Sequence, residues 1–170
     1  SPKHRVQWGL QAVYGEASYD YTGSAEYGGL QAIYLDKPAS VSRAASVRPQ
    51  GGNYAAYVSD RWKVSADTIL EWGFRWDDQT YTGFTSDSQL SPRLSVLHRV
   101  GERTDLRLSW GRYHQSQGIH EFQVEDGVTN FWPAQRADHL IAGFRRKIGG
   151  VHSLRIEAFH KDLADVRPRF

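Results

Sequence analysis

The chain has 170 residues, of which 39% are apolar, 24% charged and 13% aromatic, with a formal charge of +2 and no cysteine. That length is one domain or part of one, the aromatic content argues against disorder, and the missing cysteine removes disulfides, thiolate catalysis and cysteine metal sites. The near-balanced charge argues against a nucleic-acid partner, and no apolar run is long enough for a membrane helix at a mean hydropathy of -0.60.

A membrane β-barrel stays open, because its polar inner faces lower that average. The chain opens Ser1-Pro2-Lys3-His4, without initiator methionine or apolar leader, and so reads as a mature chain or an internal fragment. Val6, Trp8, Leu10, Ala12 and Tyr14 then alternate with Gln7, Gly9 and Gln11, the period-two pattern of a half-buried strand. A long connection follows over residues 22–53. Residues 54–64 form a second strand, less clean because Asp60 shares a face with Val58 and Trp62. The tight turn Ser65-Ala66-Asp67 leads into the clearest strand. There Leu70, Trp72, Phe74 and Trp76 lie on one face, and Ile69, Glu71, Gly73, Arg75 and Asp77 on the other.

After a connection over residues 82–88, Leu94 and Val96 alternate with Arg93 and Ser95. A tight turn at 100–103 precedes Leu106, Leu108 and Trp110, which alternate with Arg107, Ser109 and Gly111. A long loop runs over residues 114–137. Leu140, Ala142 and Phe144 then alternate with His139, Gly143 and Arg145. The tight turn Ile148-Gly149-Gly150-Val151 joins the last strand, where Leu154, Ile156 and Ala158 alternate with Arg155 and Glu157.

The pattern predicts an all-β fold: an antiparallel up-and-down meander of about seven long strands. Tight and long connections strictly alternate, as in a transmembrane β-barrel. On this reading Trp8, Leu70, Trp72, Phe74, Trp76, Leu106, Leu108 and Phe144 face lipid. Glu71, Arg75, Asp77, Arg93, Arg107, Arg145, Arg155 and Glu157 line the lumen. Trp76 stands about eight residues above its turn, roughly 20 Å up at ordinary strand rise and tilt, which suits an upper aromatic girdle. Trp62 suits the lower one. A soluble β-sandwich binding module would show the same alternation between core and water.

Several stretches resemble the barrel strands of TonB-dependent outer-membrane receptors. They are the run from Tyr54 to Val64 (Y-x-Q-D-x-W), Trp72-Gly73-Phe74-Arg75-Trp76-Asp77 (G-L-R-Y-D), Leu90-Ser91-Pro92-Arg93-Leu94-Ser95 (SPRLG) and Leu106 to Arg112 (L-R-A-S-Y-G-R). Ala137 to Phe144 and Leu154 to Asp162 resemble the strands after the long loop. The resemblance implies a segment of a barrel that imports metal chelates such as siderophores, or other scarce solutes. The partners implied are outer-membrane lipid, a plug domain and TonB, and the implied location is the cell outer membrane. Family barrels have 22 strands, so the whole chain, residues 1–170, reads as a partial barrel domain without plug or linker. Seven is also an odd number, which cannot close an antiparallel barrel. Phe170 matches an aromatic barrel terminus only by chance, since Pro168 interrupts that strand pattern.

The loop over 114–137 supplies the ligand-facing candidates His114, His120, Glu121, Phe131 and Trp132. The imidazoles could ligate a metal, but their spacing fits no metal template, and no metal or other cofactor is assigned. The sequence lacks the F-R-A-P and N-P-N-L motifs of haem receptors. Tyr19, Tyr21, Tyr27, Tyr34, Tyr81 and Tyr113 gather near the long-loop end, placed to anchor loops or stack on a solute. His114-Gln115-Ser116 with Glu121 or Glu125 has the residue types of a nucleophilic triad, as in lipid A deacylases. That alternative, or an adhesin-like barrel, needs an eighth strand within 29–35 or 121–132. The expectation is a non-enzymatic receptor segment that binds a small-molecule solute and no nucleic acid.

Overall fold

A computed structural model describes residues 3–36, 38–82 and 89–167. The main sheet among them has seven antiparallel strands. These are β1 (His4–Glu16), β4 (Gln50–Lys63), β5 (Thr68–Gln79), β6 (Gln89–Val100), β7 (Thr104–Gln115), β8 (Gln135–Ile148) and β9 (His152–Ala164). Their order in the sheet is their order in the chain, so this is an up-and-down meander. A separate hairpin, β2 (Tyr19–Glu26) with β3 (Ser40–Val47), rises from the connection between β1 and β4. Its tip carries one helix, α1 (Gly29–Tyr34).

Strand length follows from the alternation. Each main strand has 12 to 14 residues. At about 3.3 Å per residue and about 40° tilt, that spans roughly 30 Å, enough for an apolar band of about 25 Å. The turns at one end are short because their residues accept the required backbone. Gly101 (φ 66°) and Gly149 (φ 68°) take the left-handed conformation that a Cβ disfavours. At the third turn the Ser65 hydroxyl accepts the Asp67 N–H at 3.2 Å.

Directly paired residues on neighbouring strands project to the same side. The ladder Trp8–Val58–Phe74–Pro92 runs across four strands, and Leu70–Val96–Leu108–Ala142–Ala158 across five. Trp72, Trp76, Leu106 and Phe144 fall on this same apolar face. Opposite lies a polar face whose central ladder reads Ser59–Gly73–Arg93–Gly111–His139–Lys161. It carries Glu71, Arg75, Asp77, Arg107, Arg145, Arg155 and Glu157.

No described residue covers the apolar face. Trp8 is 72% exposed, and Phe74, Leu108 and Ile156 are about half exposed. Among the described residues only Ala55, Phe122 and Val124 are buried apolar side chains, and the last two belong to a loop. The sheet therefore has no interior of its own. It is an open wall: β1 and β9 each pair on one side only among the described residues, and both run from the tight-turn end to the long-loop end. Asp60, the exception in the apolar pattern, is buried near the tight-turn end. Its Oδ2 lies 2.6 Å from His4 Nδ1, and the His4 ring stacks on Trp62 at 5.4 Å. A local partner is how a carboxylate persists on such a face.

Three details differ from the expectation. The connection over 22–53 is not all loop: it contains most of the β2–β3 hairpin and the start of β4. β7 continues through His114 to Gln115, because the backbone ladder to β8 runs on to Gln115–Gln135 after the apolar alternation has stopped. The two stretches considered for an eighth strand hold helix α1 and an irregular loop with a single 3-10 turn, Val124–Asp126. Residues 83–88 of the connection after β5, and Ser1, Pro2, Pro168 and Phe170, lie outside the described residues.

Candidate functional site

The loop between β7 and β8 folds back over the long-loop end and forms a cap. Its hub is Gln117, only 3% exposed. The Gln117 side chain donates to the Glu121 carbonyl at 2.7 Å and accepts the Trp132 N–H at 3.0 Å. Three side chains from elsewhere in the fold hold the cap by its main chain. The Tyr81 hydroxyl donates to the Gln117 carbonyl at 3.1 Å, the Tyr19 hydroxyl to the Ile119 carbonyl at 3.0 Å, and Arg43 to the Glu125 carbonyl at 3.0 Å. Tyr19 Oη also accepts the Phe122 N–H at 3.3 Å.

Aromatic rings fill the space beneath. Phe122 and Phe131 meet at 4.1 Å between centroids; Tyr19 packs edge-on against Phe122 and Tyr81 against Phe131. Edge-to-face and offset pairs of this kind add to the burial of the rings themselves. Burial, and then the charge of Glu121, raises the Tyr81 phenol above its ordinary value, so it remains a donor. Glu121 is held the other way. The Gly118 N–H donates to its carboxylate at 2.9 Å and Arg167 pairs with it at 3.1 Å, and these lower its pKa against the opposing effect of burial.

The linkage sign follows from that direction. A lowered carboxylate stabilises the cap fully above its ordinary value of 4.5 and progressively less as pH falls through the lowered one. Trp132 fluorescence should therefore change in acid below that value. In Glu121→Gln, measured side by side, the acid transition should be absent.

The sequence candidates divide between two places. Glu121, Phe131 and Trp132 meet in the cap, where Phe131 packs inward and Trp132 keeps part of its ring exposed. His120 is exposed on the cap. His114 stands below it at the top of β7, with Nδ1 3.1 Å from Ser91 Oγ. That contact bridges a gap. The β6–β7 ladder stops at Arg93–Gly111, beside Pro92, which has no N–H to give. No group of three His, Asp or Glu side chains converges on a metal position among the described residues. The residue types of a triad are present, but the His114 Nδ1 is engaged by Ser91, and Glu121 by Gly118 and Arg167.

Gln117, Arg43 and Arg167 carry no sequence signal for these roles, since their partners lie up to 82 residues away.

The polar face is the second place. It curves into a trough of about 400 Å³ whose lining includes Arg5, Glu71, Arg93, Arg107, Tyr113 and His139. Some of its charges are spent locally. Arg61 pairs with Glu71 at 3.1 Å, Arg75 with Asp77 at 2.7 Å and Arg155 with Glu157 at 2.6 Å, while Asp105 joins Arg99 and Arg145. The Arg93 guanidinium lies 4.9 Å from the centroid of the Tyr113 ring, which packs at 5.0 Å against His139.

Comparison with characterised proteins and with solved structures gave no match. A family model described as "TonB dependent receptor-like, beta-barrel" matches residues 2–166, nearly the whole chain. A meander of long two-faced strands, tight turns at one end and a folded loop cap at the other agree with it, and the chain belongs to the TonB-dependent receptor β-barrel family.

Proposed function

We propose that this chain forms part of the wall and mouth of an outer-membrane receptor that takes up a scarce small solute, such as a metal chelate of the siderophore kind. Receptors of this family generally sit in the outer membrane and work with a plug domain and with TonB. The observation that carries the reading is the two-sided sheet. One face presents exposed Trp, Leu, Phe and Ile that no described residue covers, and the other presents arginines, carboxylates and a trough. Lipid suits the first face, and water, plug or solute the second.

On this reading the aromatic cap lies at the outer mouth, where Trp132 and His120 are the side chains a solute meets first. The chain itself does no covalent chemistry. The test is made in cells expressing the full receptor that contains this segment. The protein should fractionate with the outer membrane, and accumulation of a labelled ferric chelate should require TonB. Recovery of the segment as a soluble monomer without detergent would sink the reading in favour of a β-sandwich.

A further inference from the structure

The polar face is strongly biased in charge. On its seven strands basic side chains outnumber acidic ones by more than two to one, although the whole chain carries only +2. Most of the acidic side chains are already committed. Within the trough, Glu71 neutralises Arg61. The other bordering carboxylate, Asp60, is turned to the apolar face by its register and bonded to His4. Arg5, Arg93 and Arg107 are left without a carboxylate partner among the described residues.

Arg93 stands between Gly73 on β5 and Gly111 on β7, and the Tyr113 ring on which its guanidinium lies leans over the space at Gly111. A Cβ at Gly73 would come within 3.1 Å of Ser59 Cβ and 3.2 Å of the Val58 carbonyl, so the strand packing there depends on glycine. Ser95 and Ser109, joined by a 2.8 Å hydroxyl bond, complete the wall between Arg93 and Arg107. His139 lines the same trough, and its Nε2 is buried without a hydrogen-bond partner.

We infer that the trough between Arg93 and Arg107 is a binding site for a small multivalent anion, a solute bearing carboxylates or phosphates. Guanidinium groups match both by paired N–H donors, and the polar but apolar-sided trough strengthens the attraction relative to open water. The trough holds about 400 Å³ and is open along the face, a size that suits a small molecule. The inference rests on the receptor reading and deepens it by naming the charge class of the solute.

The experiment is calorimetric titration of the full receptor that contains this segment, in detergent micelles, with citrate, with pyrophosphate and with sucrose. Citrate, pyrophosphate or both should bind, sucrose should not, and affinity should fall as salt is raised. Whichever anion binds tighter reports whether carboxylate or phosphate is preferred. Arg93→Gln and Arg107→Gln should each weaken binding about tenfold or more, a range typical of hydrogen bonds to charged groups. Arg103→Gln, which removes one charge at a distant tight turn, should change it little. Where Arg93→Gln loses its heat-modifiable folded band, Arg5→Gln stands in for it. Anion binding no tighter than sucrose, or binding that survives the Arg93→Gln, Arg107→Gln double variant, overturns the inference. Outer-membrane fractionation and TonB-dependent uptake are measured separately, so the receptor reading stands or falls on its own.

Discussion

Phe74→Arg should destabilise the full receptor that contains this segment, folded in phospholipid vesicles, by about 2–4 kcal/mol, the cost of an arginine at the middle of a lipid-facing strand. Phe74 is half exposed at the centre of the apolar face, flanked on its ladder by Val58 and Pro92. Its ladder neighbours Val58 and Pro92 offer no counter-charge, and the lipid interior offers none. The matched substitution Gln11→Arg, on the polar face of β1, meets water and should cost far less. Guanidinium titration of the folded band should separate the two by about 30-fold or more in folding constant. Equal effects would mean that both faces meet the same solvent, and the barrel reading would fail.

Phe122→Ala should open the cap while leaving the wall intact. Truncating a buried phenylalanine costs about 3–5 kcal/mol in well-packed sites. Phe122 is 8% exposed and touches both Tyr19 and Phe131, so its loss removes the centre of the aromatic cluster. The backbone of residues 116–134 then depends on the three main-chain anchors, the Gln117 bonds and the Glu121–Arg167 pair. Limited proteolysis should cut the variant inside that loop and spare it in the parent protein. Strand content by circular dichroism should match the parent, because no residue of β7 or β8 relies on Phe122 for pairing. Loss of the whole folded band would show instead that cap and wall fold as one unit.

The wall was readable from sequence because each of its strands reports its own geometry. From Leu70 to Trp76, every second residue is apolar, and the turns at 65–67 and 100–103 carry their own chemistry. The β2–β3 hairpin was not readable as a separate sheet. Much of the two strands is Thr22, Gly23, Ser24, Ser42 and Ala44, which are too small and too mixed to show a face, and their pairing rests on the backbone ladder with one cross-strand bond from Ser46 to Asp20. His114 was assigned to the loop because polar neighbours end the apolar pattern, whereas the hydrogen-bond ladder continues without regard to side chains. The cap was least accessible. Its bonds to the rest of the fold join residues 36 to 103 positions apart, a relation that no local period encodes. For the same reason the aromatics of the loop were legible as candidates, but their inward packing was not.

The manner in which the cap is held has an evolutionary consequence. Tyr19, Tyr81 and Arg43 grip carbonyl oxygens at positions 119, 117 and 125. A carbonyl is present whatever the side chain. Ile119 and Glu125 can therefore be exchanged without releasing the loop, and so can the exposed His120 between its anchors. On the receptor reading proposed above, the mouth can diversify in chemistry while its attachment stays constant, so that one wall serves a succession of different solutes.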